Sequence, residues 1–253
     1  MSKAISDSYI MFKRCLIKTS RSPEAVTMAI VVPFIMMVLF GYVFGGIASI
    51  EGFNYINFIV PGIILQCICN SSAATSLSVH NDMSKGIIDR FRSIQIAKSA
   101  FISGHVWMSV IRSIVITIAT FGAAFMIGFR PTAGFAEWLV ISGILILFII
   151  AMTWLVVIIG LVSKDAEAIS GINFLLVVFV FLSSAFAPPE TLPTVLRVFA
   201  KHQPMTPVID ALRGLLLGTP LENEIEIALI WCIGLIVFGF VLAVHIYKSK
   251  LTK

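Results

Sequence analysis

Residues able to do chemistry are few in this chain of 253 residues, and they do not gather into an active site. A phosphate-cradling loop of the form G-x-x-x-x-G-K-[ST] is absent, and so are H-E-x-x-H and G-x-S-x-G. The four cysteines, Cys15, Cys67, Cys69 and Cys232, lack metal-ligand spacing, and Cys67-x-Cys69 points its thiols to opposite sides of a helix. They are expected to be small buried hydrophobes. His80, His105, His202 and His245 all fall at or near the ends of apolar runs, where a histidine is more often interfacial than catalytic. No catalytic residue, no metal site and no cofactor bound by this chain are expected.

Polar groups inside the apolar runs are the next candidates. Arg112 stands about two turns inside one of them; it either snorkels, pairs with a nearby charged segment, or contacts the inner mouth of a pathway. Gln66 and Asn70, then Ser71, Thr75 and Ser78, recur at helical spacing, and Asn173 sits beside Phe174. Such groups either hydrogen-bond between helices or face a cargo. On the second reading the pathway candidates are Gln66, Asn70, Thr75, Arg112, Asn173 and Phe174. Only Glu137 and Glu226, at run ends, offer acids to the apolar runs, which counts against an ion-coupled carrier.

The elements that would position these groups follow from composition. The chain is 58% hydrophobic and only 12% charged, with mean hydropathy +1.02. Several apolar runs reach the roughly 20 residues needed to cross a bilayer. The fold class is therefore an all-α polytopic membrane protein, because the runs are continuous and do not alternate as barrel strands do. Six spans are predicted, at 25–48, 55–79, 102–128, 137–162, 169–187 and 227–247. The first is too long, and its charged lead too extended, for a cleavable signal. Before it, 4–20 is amphipathic, with Ile5, Tyr9, Phe12 and Leu16 on one face and Asp7, Arg14 and Lys18 opposite. That pattern predicts either a helix along the membrane interface or a solvated helical lead-in. Ser22-Pro23-Glu24 reads as a helix start, and Gly41-xxx-Gly45 as a close-packing surface. Segment 188–226 holds two short apolar stripes, Leu192, Val195, Leu196, Phe199 and Val208, Leu212, Leu215, Leu216, broken at His202-Gln203-Pro204. They predict two interfacial or re-entrant half-helices, the second ending at Gly218.

One charged island, 80–98, interrupts the apolar pattern. It carries Asp82, Lys85, Asp89, Arg90, Arg92 and Lys98, which together would cost on the order of 15 kcal/mol in hydrocarbon. The island must face water, and it is too short to be a domain, so it reads as a docking loop. Lys3, Lys13, Arg14, Lys18 and Arg21 in the lead, the island itself and Lys248, Lys250 and Lys253 in the tail put both termini and the island on the cytoplasmic side. The net charge of +5 reports this orientation and not nucleic-acid binding.

Several stretches resemble one known family. They are Arg21-Ser22-Pro23 with Pro33, LFGYVFGG at 39–46, FIVPGI at 58–63, SKGIIDRFRSI at 84–94 and LSSAFAPPETLPTVLRVFAKHQPMTPVIDALRGLLLG at 182–218. The chain is similar to the permease subunits of type-2 ABC exporters, especially the daunorubicin-resistance type. The resemblance implies an interfacial N-terminal helix, six spans, and a second permease copy, as a homodimer or with a close homologue. It also implies two copies of a soluble ABC ATP-binding subunit that holds the ATP and magnesium. It makes the island a coupling helix on Asp82, Lys85, Gly86, Asp89, Arg90 and Arg92, and the residues before the last span an outer cap. The implied function is export of an amphipathic drug, an antibiotic or a lipid-like substrate across a bacterial cytoplasmic membrane. An ATP-independent carrier or channel, or a permease for lipid-linked polysaccharide, is the alternative. Two positions depart from the family pattern: Gln95 replaces a proline common after the Arg-Ser pair, and Ser109 replaces an acid that often precedes the arginine matched by Arg112.

Overall fold

The computed structural model describes residues 2–20, 23–44, 55–84 and 98–252, with side chains described for 7–17, 31–41, 55–84 and 101–250. Among these residues every regular element is helical. They are α1 (Ser2–Ser20), α2 (Pro23–Val38) with a π-helical continuation (Leu39–Phe44), α3 (Tyr55–Ser84), α4 (Lys98–Ile127), α5 (Phe135–Val162), α6 (Ala166–Phe181), a short 3-10 turn (Pro189–Thr191), α7 (Thr194–His202), α8 (Met205–Leu217) and α9 (Glu224–Thr252). The candidate coupling residues Lys85, Gly86, Asp89, Arg90 and Arg92 lie outside the described residues, as do Gly45 and Gln95.

α3 is the axis of the bundle. Ile59, Val60, Ile63, Ile64, Leu65 and Ile68 are all fully buried, so this helix is apolar around its whole circumference and packs on every side. It touches α2, α4, α5, α6 and α8, while α9 lies against α5 at the periphery. Four described helices are long and apolar enough to cross a membrane, within α3, α4, α5 and α9, and two shorter apolar helices lie at Val31–Gly41 and Ala166–Phe181. Small residues set the closest crossings. A Cβ on Gly160 of α5 would sit 3.0 Å from the Cα of Ser76 in α3, and one on Gly239 of α9 would sit 2.7 Å from the Cβ of Trp154. Gly41 packs inside the chain, against Ile56 and Ile127.

Helix ends need not coincide with the limits of the expected spans. The second span runs as one helix past 79 to Ser84, into the start of the charged island. The fifth is a helix only from Ala166 to Phe181, not across 169–187. Asp165 caps its start by accepting the Ala168 N–H at 2.7 Å, and turns follow at its end, where the Ser183 hydroxyl donates to the Val180 carbonyl. Sixteen residues span about 24 Å, short of a hydrocarbon core of about 30 Å. α7 and α8 break at Gln203-Pro204, and α8 ends on Gly218, whose φ of 66° is the left-handed cap that glycine favours. The stripe on α8 is buried in the bundle, whereas Val195 and Phe199 on α7 are exposed.

Candidate functional site

The described residues nearest the island form a buried junction of three helices. Asp82, in the last turn of α3, is only 3% exposed. Arg14 of α1 donates to both its oxygens, Nη1 to Oδ2 at 3.1 Å and Nη2 to Oδ1 at 3.4 Å. His105 of α4, 2% exposed, places Nε2 3.2 Å from Asp82 Oδ2, and its Nδ1 lies 3.9 Å from the Cys15 sulfur. Phe101 meets His105 edge-on and stacks on Tyr247 of α9. A carboxylate removed from water this completely is tolerable only with such partners.

This geometry corrects one expectation. Asp82 does not stand in a water-facing loop; it is inside helix α3, turned toward α1 and α4. It is also 27 residues from Tyr55, about 40 Å along the helix, so a hydrocarbon layer of about 30 Å leaves it at the boundary. His105, two turns into α4, is a buried partner of that acid.

α1 is seated on α4 along a narrow face. The Ser8 and Ser103 hydroxyls are 2.7 Å apart, Met11 is 1% exposed, and a Cβ on Gly104 would come within 2.6 Å of the Met11 Cβ. That face lies about 100° round the helix from the apolar stripe read from sequence. Tyr9 and Leu16 of the stripe remain exposed. The helix thus has two working sides, one of small and sulfur-bearing residues for the protein and one apolar side left outward.

Further along α3 the polar groups form a seam between helices. Arg112 Nη2 donates to Thr75 Oγ1 at 2.6 Å, and the Ser113 hydroxyl donates to Ser71 at 3.1 Å. Asn173 Nδ2 donates to Ser76 Oγ at 2.9 Å and to the Ala73 carbonyl at 3.3 Å. Ser109 pairs with Thr153 of α5 at 3.1 Å, so the position where an acid was anticipated holds a helix-to-helix hydroxyl bond. Among the described residues Arg112 has no ion-pair partner. Gln66 lies deep in the core with its Oε1 unpartnered among the described residues, while Asn70 and Phe174 face outward. The six pathway candidates therefore do not converge: Thr75 meets Arg112, Asn173 meets α3 from the other side, and the remaining three stand apart.

At the opposite end Arg213 of α8 is a hub. Nε donates to the Phe58 carbonyl at 3.2 Å, Nη1 to Asp210 Oδ1 at 2.6 Å and Nη2 to the Ser184 carbonyl, with the guanidinium 3.8 Å over the Phe58 ring. Ser184 also donates to Asp210 at 2.7 Å. Burial holds Arg213 down to about 10, against the pull of Asp210, so it stays charged at neutral pH. These bonds lock α8 to the start of α3 and to the turn after α6.

A family profile for ABC-2 type transporters matches residues 7–217. The chain belongs to the ABC-2 type transporter family. As an ABC-2 chain it is 26% identical over 248 residues to the "Daunorubicin resistance ABC transporter permease protein" of Streptomyces coeruleorubidus, covering 98% of this chain and 88% of the relative. It is 24% identical over 234 residues to the "Probable doxorubicin resistance ABC transporter permease protein" of Mycobacterium tuberculosis (strain ATCC 25618 / H37Rv), covering 92% and 85%. The ABC-2 match includes Arg14, Asp82 and His105 of the buried junction, and both relatives are named as ABC transporter permease proteins.

Proposed function

We propose that this chain is the membrane permease of an ATP-driven exporter, energised by a separate soluble ATP-binding subunit that docks on the island. The observation that carries the reading is the buried tie of Arg14, Asp82 and His105 at the end of α3 that leads into the island. A push on the island enters α3 there, and the tie obliges α1 and α4 to move with it. Asp82 is then a positioning residue, and contact with the ATPase falls to Lys85, Gly86, Asp89, Arg90 and Arg92. The cargo is an amphipathic drug or antibiotic, in keeping with the names of the two relatives. The working assembly is two permeases with two ATP-binding subunits in a bacterial cytoplasmic membrane, both termini of this chain inside. ATP binding in the partner favours one of two states of the permease pair, inward-open or outward-open, and hydrolysis returns it.

Charge reversal tests the docking face. Asp89→Arg combined with Arg90→Glu should abolish co-purification with the ATP-binding subunit and drug-stimulated ATP turnover, while the permease still elutes as a folded species. Unchanged co-purification and turnover would place the ATPase contact elsewhere.

A further inference from the structure

The end of the bundle that carries α7 and α8 holds a cleft of about 440 Å3, within the range of roughly 300–1,000 Å3 typical of small-molecule sites. Its charged lining does not balance. Lys201 pairs with Glu190 at 2.9 Å and Arg213 with Asp210 at 2.6 Å, which leaves Glu224 with no salt-bridge partner among the described residues. Glu224 accepts the Glu222 N–H at 2.7 Å and retains acceptor capacity toward the cleft. Its charge is felt at Asp210, whose carboxyl is raised chiefly by burial and further by Glu224.

The same cleft is lined by Thr206 and Pro207, in the first turn of α8. No side chain caps that 13-residue helix. Thr206 is 5% exposed, and its hydroxyl oxygen has no partner among the described residues. A helix N-terminus with an unspent buried hydroxyl favours an anion, just as the lone carboxylate favours a cation. The apolar part of the lining includes Phe58, Pro188 and Ile227. Ile227 is 43% exposed and Ile230, one turn further along α9, is 70% exposed, so the cleft continues onto an open apolar helix face.

A ligand that satisfies all three features carries a phosphate, a nearby ammonium and a long apolar tail. We propose that the cleft binds a membrane phospholipid with a primary-amine headgroup, its ammonium on Glu224, its phosphate at Thr206 and the start of α8, and its acyl chains along Ile227 and Ile230. The ammonium supplies N–H donors that a trimethylated headgroup lacks, and the uncharged headgroup of a phosphatidylglycerol offers Glu224 no cation.

The test uses the purified full chain in one detergent with added lipids of identical acyl chains. Native mass spectrometry should show phosphatidylethanolamine retained about tenfold better than phosphatidylcholine, as one charge-assisted contact would give. Phosphatidylglycerol should not match it. Glu224→Gln should bring the two zwitterionic lipids to near parity while leaving the melting temperature in phosphatidylcholine unchanged, and Glu224→Asp should restore part of the preference. Thr206→Val should weaken both lipids several-fold without altering their ratio, as loss of one phosphate hydrogen bond would. An ethanolamine preference that survives Glu224→Gln, or equal retention of phosphatidylglycerol, would overturn the assignment. Displacement of the lipid by millimolar glycerophosphoethanolamine would overturn it too, since the cleft would then take a soluble ester.

Discussion

Arg14→Ala should destabilise the purified chain by about 3 kcal/mol, and adding Asp82→Ala should recover a large part of that loss. Alone, the first substitution removes the cation that donates to both oxygens of a carboxylate that is 3% exposed. The double variant removes the charge that needed a partner. Arg14 itself is 38% exposed at its side chain, so Asp82→Ala alone leaves a cation that reaches water and should cost less than Arg14→Ala. Chemical or thermal unfolding of the four proteins in one detergent gives the cycle. Strict additivity of the two single losses would mean that the contact is not a tie. On the proposed docking of an ATP-binding subunit at the island, both single variants should also lower cargo-stimulated ATP turnover without reducing binding of that subunit, since neither residue is among the proposed contacts.

Gly160→Ala should cost about 3 kcal/mol or more, an unusual penalty for one methyl group in a helix. The added carbon would sit against the backbone of Ser76, which no rotamer change can clear. Relief requires α3 and α5 to separate, and that strains the Asn173 bonds to Ser76 and Ala73 as well. Gly143→Ala in the same helix is the control, because nothing lies within 4 Å of its added Cβ. That change should be neutral or slightly stabilising, by up to about 1 kcal/mol from helix propensity. Equal effects at the two positions, read from melting temperatures, would contradict the crossing.

Helical class and the approximate course of the long apolar helices were legible because a continuous apolar run of about 20 residues has few other solutions in a bilayer. Boundaries were legible where a residue acts locally: Pro23 begins α2, and Gly218 ends α8. They failed where the deciding partner is distant. Asp82 reads as solvent-seeking until Arg14, 68 residues earlier, is brought beside it. α6 stops at Phe181 although Leu182, Ala185 and Phe186 continue the apolar run, because apolarity measures partitioning and not helical continuity. The seam was half legible. Helical spacing found Ser71 and Thr75 on α3, but their partners Ser113 and Arg112 belong to another helix, and Ser76 points a different way from both. Arg213 gave no signal beyond its type, since a lone arginine in a segment between spans looks the same whether it is solvated or holds two carbonyls, a carboxylate and a ring together.

Reconstitution tests the central claim most directly. The permease is placed in proteoliposomes with and without its ATP-binding subunit, and movement of a fluorescent amphipathic drug such as daunorubicin is followed on adding ATP and magnesium. Drug movement should require the subunit and hydrolysable ATP together, and should vanish with Asp89→Arg and Arg90→Glu. Movement by the permease alone, driven only by a drug or proton gradient, would make this chain a carrier in its own right and contradict the account.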